Sequence, residues 1–157
     1  MRLGATVSVL VLLSSFHATR GQSECSNYAT LSNIDRSQNT HHNGNYLCDN
    51  GLGSGWYRIS GNAGYRIPTS CVAKHYCTTH APGWMTSPHP SVADGVVTRT
   101  VCYHWTTGCC EWSNNIRVRN CGEFYVYELN GTPHCYFRYC GNGAVPSLKF
   151  RKGMYAL

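Results

Sequence analysis

Ten cysteines constrain this 157-residue chain more than any other feature: Cys25, Cys48, Cys71, Cys77, Cys102, Cys109, Cys110, Cys121, Cys135 and Cys140. All follow an apolar N-terminal run, and their number is even, so every one can be paired. Disulfides persist in oxidising, extracellular-type compartments, and a leader that delivers the chain there makes pairing the expected state. The expectation is a secreted, disulfide-stapled domain in which cross-links supplement a modest core.

Residues 1–21 read as a signal peptide. Arg2 supplies the positive start, the apolar run around Leu10–Leu13 is too short to span a bilayer, and Thr19 and Gly21 suit cleavage before Gln22, with Ser23 as an alternative. Residues 22–140 form the expected domain and 141–157 a basic tail with Lys149, Arg151 and Lys152. That tail ends without an apolar stretch, so no membrane or glycolipid anchor is expected. Removing Arg2 and Arg20 takes the formal charge from +6 to +4, with three basic residues in the tail. The body lacks the basic, aromatic-interleaved patch of a nucleic-acid binder. The 149–152 cluster is open to two readings, contact with anionic matrix polymers or a solvated, cleavable tail.

Charged residues make up only 13% of the chain, while it has 16 Gly and 11 Tyr. That balance favours strands and tight turns, and the fold expected is mainly β: a small disulfide-rich single domain with hairpins and long loops. Residues 26–45 read as a loop. Strand-like runs at 56–59 and 65–67 flank Gly61-Asn62-Ala63-Gly64 as a hairpin. Residues 81–90, with three prolines around Trp84, read as a rigid loop. The longest strand is expected at 96–105, with Val97, Val101, Tyr103 and Trp105 on one parity and Arg99 breaking it. Runs at 116–120, 124–129 and 134–139 suggest a three-stranded meander turning at Cys121-Gly122 and at Asn130-Gly131. Residues 70–74 have the makings of one helical turn. Adjacent Cys109 and Cys110 point to opposite faces if extended and so take different partners. Spacing alone leaves roughly 945 pairings open.

The cysteine spacings Cys71-x5-Cys77, Cys102-x6-Cys109-Cys110 and Cys135-x4-Cys140 resemble the uromodulin-like cysteine-rich domain, found also in the major glycoprotein of pancreatic secretory granule membranes. So do Gly55-Trp56-Tyr57-Arg58, Arg66-Ile67-Pro68, residues 84–90, Thr98-Arg99-Thr100-Val101-Cys102, His104-Trp105, Tyr125-Val126-Tyr127 and Arg138-Tyr139-Cys140. The resemblance runs from Cys25 to Cys140. It implies the pairs Cys25–Cys121, Cys48–Cys135, Cys71–Cys109, Cys77–Cys140 and Cys102–Cys110. In the family the domain sits beside growth-factor-like repeats and a polymerising module; neither is recognised in this sequence, so filament formation is not expected. The relatives bear a mannose-rich glycan near the position of Glu128. Here the sequon is Asn130-Gly131-Thr132, two residues on, and Pro133 behind it disfavours full occupancy.

Asn130 is therefore the leading site, a glycan on a rigid turn offered to lectins, against a merely solubilising sugar. No catalytic residue is assigned: the chain has no Gly-x-Ser-x-Gly elbow and no His-Glu-x-x-His helix, and pairing leaves no nucleophilic cysteine. The Gly51-to-Gly55 stretch has no lysine for phosphate and reads as a turn. No metal or cofactor is expected. His41, His42, His75 and His80 read as solvated loop residues, His104 as a hydrogen-bonded structural one, and a disulfide removes Cys77 as a ligand. Trp56, Trp105 and Trp112 read as packing residues; Trp84 is singled out as a possible ligand contact. The functional expectation is a secreted glycoprotein domain that displays an N-glycan as a decoy for microbial lectins. The alternative is a structural component of mucus or a mineralised matrix.

Overall fold

The computed structural model describes residues 23–143; the expected leader and nearly all of the basic tail lie outside them. Seven strands build one mixed sheet: β1 (Ala29–Leu31), β2 (Gly55–Ile59), β3 (Ala81–Met85), β4 (Val96–Tyr103), β5 (Trp112–Asn120), β6 (Tyr125–Leu129) and β7 (Phe137–Tyr139), in the order β1-β2-β6-β5-β4-β3-β7. The middle is antiparallel and each edge pair is parallel. Helical content among the described residues is three short 3₁₀ turns. The mainly β reading holds.

Alternation assigns the two faces. The registers Tyr57↔Tyr127↔Val118 and Met85↔Val101, with Gly83↔Tyr103, carry one continuous parity across the sheet. That parity is the core: Ile59, Met85, Val101, Tyr103, Ile116, Val118, Tyr127, Leu129, Phe137 and Tyr139, all buried. Ala63 and Ile67 close over it from the irregular segment after β2. Gly83 is needed for close packing, since a β-carbon there would lie 2.8 Å from the Tyr103 ring and 2.9 Å from the Arg138 carbonyl. The reverse face carries polar cross-strand pairs. Arg117 and Glu128 form a two-pronged ion pair beneath Trp56, and Arg58 lies 4.1 Å from the Phe124 ring centre.

Several local expectations give way to long-range ones. Residues 65–67 form no strand: a 3₁₀ turn, Gly61–Ala63, follows β2, and the Ile67 amide donates to the Tyr127 hydroxyl at 3.0 Å. The proline-rich stretch begins as β3, not a loop. Pro82 falls where the pairing with β4 ends: that register begins at Gly83↔Tyr103, and the Pro82 carbonyl still accepts the His104 amide at 3.3 Å. Residues 134–139 do not extend the meander. β7 pairs parallel with β3 at the far edge, so β5 and β6 form a hairpin but β6 and β7 do not. The 26–45 loop contains β1 and a 3₁₀ turn, Ile34–Arg36, and residues 70–74 contain no helix. β4 ends at Tyr103, so Trp105 leans on the core from a loop.

The five disulfides are Cys25–Cys121, Cys48–Cys135, Cys71–Cys109, Cys77–Cys140 and Cys102–Cys110, the pairs that the family resemblance implies. None of the described cysteines is free. Cys109 and Cys110 part company as expected, but from a turn and not from an extended strand. The turn is organised by Glu111, whose carboxylate accepts the Thr107 and Gly108 amides at 2.6 Å and the Thr106 hydroxyl. Those bonds, that of the Thr107 amide foremost, hold its carboxyl down at about 2.

Candidate functional site

Asn130 follows the last residue of β6 and is exposed. The bend it occupies is not a hairpin tip, because the chain runs from it towards the opposite sheet edge. What fixes the bend is contact with residues 48–50. The Thr132 amide donates to the Asp49 carbonyl at 3.0 Å, and the Thr132 hydroxyl lies 3.0 Å from the His134 carbonyl and 3.2 Å from that of Phe137. Gly131 passes so close to the Asn50 carbonyl that a β-carbon would collide with it. The Tyr139 hydroxyl donates to the Asn130 carbonyl at 3.1 Å and accepts from the Asn114 amide group at 3.1 Å. The exposed sequon asparagine thus sits on a backbone held at each of its next two residues.

Beneath it lies a buried ion network with no signal in the local sequence. Arg36 grips Asp49 with both terminal nitrogens, at 2.6 and 2.7 Å, and Asp49 also accepts the Tyr139 amide at 3.0 Å. Arg138 bonds Asp35 at 3.0 Å and the Cys77 carbonyl at 3.1 Å, with Asp49 3.8 Å away. Asp49 is 2% exposed and Arg138 4%. Burial, and next the nearby Arg36 charge, lower the Arg138 pKa. Charges this deep persist only when paired, and each of these is, although the buried Arg138 Nε has no hydrogen-bond partner and only the Asp49 carboxylate 3.8 Å away. The only clue in the sequence is chemical: single Asp and Arg residues among cysteines in segments otherwise poor in charge.

The loop histidines, expected to be solvated, lie together, with His41 exposed and His42, His75 and His80 half-buried. The His42 ring lies 4.7 Å from His41 and 5.2 Å from His75, and His75 stacks on His80 at 4.9 Å. The Gly44 amide donates to His42 Nδ1, which leaves the other His42 nitrogen as N–H toward the Tyr46 hydroxyl; that hydroxyl then donates to His75 Nδ1 at 3.1 Å. His41 Nδ1–H donates to the His42 carbonyl at 2.9 Å. These bonds engage both ring nitrogens of His42 and one each of His41 and His75. Burial and the neighbouring imidazoles hold His75 below its ordinary pKa, and burial and Lys74 do the same for His80. Among the described residues, one His/Cys/acid triplet is close enough to share an ion, Cys71, His104 and Cys109. Its two sulfurs are bonded to each other, so neither is a thiolate ligand. His104 donates to the Val72 carbonyl at 2.9 Å, a structural role.

Trp84 lies on β3 against Val72, Cys77 and Cys140, and its indole N–H donates to the Cys109 carbonyl at 2.8 Å. Its polar handle is therefore spent within the domain. The aromatic cavity is elsewhere. Trp105, Trp112, His134 and Phe137 line an open hollow of about 320 Å³, with Trp112 44% exposed. Its rings meet at steep angles, 77° between Trp112 and His134, so they form walls instead of a stack. Local sequence assigns Trp105 and Trp112 to general packing, because the strand displacement that brings Phe137 beside them is not legible locally.

Comparison with known proteins places this five-disulfide β domain. The model of the uromodulin-like domain family matches residues 57–141, more than half of the chain, and the chain belongs to that family. It is 43% identical to the pancreatic secretory granule membrane major glycoprotein of Canis lupus familiaris over 133 residues, 83% of this chain and 26% of that protein. It is 44% identical to uromodulin of Mus musculus over 120 residues, 76% of this chain and 18% of that protein. The chain thus spans about a quarter or less of the relatives it matches. The shared domain is non-catalytic, of a structural or adhesive kind. Among the described residues no helix is long and apolar enough to cross a membrane.

Proposed function

We propose that this domain is an extracellular glycoprotein module that presents an N-glycan on Asn130 to lectins, and that it acts as a soluble decoy for microbial adhesins. The observation that carries the reading is the exposed Asn130 on a backbone clamped to residues 48–50. A sugar rooted there leaves a fixed point, which lowers the ordering cost of being bound. The family supports it in kind, since one relative is named as a glycoprotein. Glu128, near the relatives' glycan position, cannot carry an N-glycan and is paired with Arg117; the sequon two residues on offers the display point instead.

The test is retention of the secreted protein on an immobilised mannose-specific lectin. Wild type binds and is eluted by free mannoside, and Asn130→Gln does not bind. Equal retention of both proteins contradicts display from Asn130. Retention on acidic polymers that fades with salt, with no lectin binding, would support the matrix role instead.

A further inference from the structure

We infer that Asn130 accepts its glycan only before this domain folds, and that closure of the Cys48–Cys135 disulfide ends the window; this rests on the reading of Asn130 as a glycosylated residue. The enzyme that modifies a sequon must draw Asn-x-Thr into its own groove, with the asparagine amide and the threonine hydroxyl presented together. In the folded domain these two groups are separated in access. Asn130 is exposed, while Thr132 is 5% exposed and its hydroxyl faces the His134 and Phe137 carbonyls.

Freeing the sequon is more than a local adjustment. The Thr132 amide is bonded to the Asp49 carbonyl, the Asp49 amide to the Phe137 carbonyl, and the Asp49 carboxylate to Arg36 and the Tyr139 amide. Gly131 lies tight against Asn50, and the Asn130 carbonyl is held by Tyr139. Cys48 precedes Asp49 directly and Cys135 follows Thr132 by three residues, so their disulfide pins together the two segments that must part. Exposing Thr132 therefore requires opening the buried ion network, an event close to unfolding this half of the molecule.

The two competing steps are chemically distinct. In transfer, Asn130 Nδ2 bonds to the anomeric carbon of a lipid diphosphate-linked oligosaccharide. The bond from that carbon to the phosphate oxygen breaks, the lipid diphosphate leaves, and Nδ2 gives up one proton. In closure, the Cys48 and Cys135 thiols become a disulfide, and two electrons and two protons pass to a thiol–disulfide oxidoreductase of the secretory compartment. Once attached, the sugar is compatible with the fold because Asn130 itself faces solvent. Occupancy is thus a race, and Pro133 behind the sequon slows the transfer side.

The experiment uses the full secreted chain with Asn130 unoccupied, in two forms: folded with its disulfides, and reduced with its thiols alkylated. Each is incubated with microsomal oligosaccharyltransferase and lipid-linked oligosaccharide, and the glycosylated fraction is read by intact mass. The reduced chain should gain one glycan at least tenfold more than the folded one. Equal modification of both overturns the folding window and leaves display from Asn130 standing. If neither form is modified, even with Pro133→Ala, Asn130 is no acceptor, and both the display reading and this inference fall. In secreting cells, Cys48→Ser/Cys135→Ser should raise occupancy above wild type, read in lysate so that a retained variant is still counted; unchanged occupancy in a wild type that is only partly modified counts against the window.

Discussion

The sheet and the loops beside it hold together by different means. In the sheet, order comes from alternation: Val101, Tyr103, Val118, Tyr127 and Leu129 share one parity, and hydrophobic burial does the rest. In the loop half, residues 32–54, 60–80, 130–136 and 140–143, there are few ladders. Order there comes from disulfides, from the Arg36–Asp49–Arg138–Asp35 network, and from side chains bonded to distant backbone, such as Asn142 to Tyr65 and Thr79 to Tyr136. Even the backbone differs. Four described non-glycine residues have positive φ, namely His75, Cys77, Thr78 and Tyr136, and all lie in the loop half. Such conformations cost about 1–3 kcal/mol each and persist only where the surroundings over-determine them. One half is thus stabilised by many small, replaceable contacts and the other by a few irreplaceable ones.

Cross-links also tie segments outside the loop half, and their removal, ranked by closed-loop length, has the largest expected effect. Cys25–Cys121 spans a sequence separation of 96, and Cys102–Cys110 spans 8. In the chain-entropy model the long closure contributes about 4–5 kcal/mol and the short one about 2–3 kcal/mol. Chemical denaturation of Cys25→Ser/Cys121→Ser and Cys102→Ser/Cys110→Ser should rank them in that order, and secretion of the first variant at full yield would contradict the pairing's importance. Next comes Asp49→Ala, which strands Arg36 in the interior and should cost about 3–5 kcal/mol. A loss below about 1 kcal/mol would mean that the network is incidental.

A pH series sharpens the comparison from the sheet side. His89 lies across from Tyr127, with ring nitrogen and hydroxyl 2.8 Å apart, and burial, with Arg66 and Arg99 nearby, lowers its pKa to about 4. The folded state therefore prefers the neutral ring, while the unfolded chain takes up a proton near 6.5. This contribution is fully present above about pH 6.5 and is lost as pH falls from there toward about 4, about 3 kcal/mol in all. His75 and His80 act in the same direction. His89→Gln should flatten the difference in that window; an identical pH profile for variant and wild type would contradict it. The smallest effect is Arg117→Ala. Its pair with Glu128 is solvent-facing and screened, so the denaturation midpoint should barely move.

The same contrast explains what could be read from sequence. Strands β4, β5 and β6 are legible because their burial follows a local period, and Cys121-Gly122 marks the β5–β6 turn. β7 is not: its residues look like a third meander strand, and only the parallel pairing of Ala81 with Phe137 reveals its place. Asn130-Gly131 has the sequence of a hairpin turn, but here glycine answers a steric demand, the Asn50 carbonyl pressed against it. The 65–67 run resembles a strand because Ile67 is apolar, yet it caps the core through bonds to Tyr127 and Asn142 and not through a ladder. The histidine cluster brings residues 41–42 to residues 75 and 80, a closure that no spacing rule encodes. Asn130 is legible as a motif; the burial of Thr132 is not, because it depends on a partner about eighty residues earlier in the chain.

The most direct test is the intact mass of the secreted protein before and after an endoglycosidase specific for mannose-rich glycans, with thiols counted by alkylation. Glycan display from a fully cross-linked domain predicts no free thiols and a mass drop equal to one glycan less the single core sugar left on Asn130, a drop lost in Asn130→Gln. An unmodified Asn130, or a glycan that resists the enzyme, would contradict display of a mannose-rich sugar from this site, and free thiols would contradict the cross-linked loop half on which that site is built.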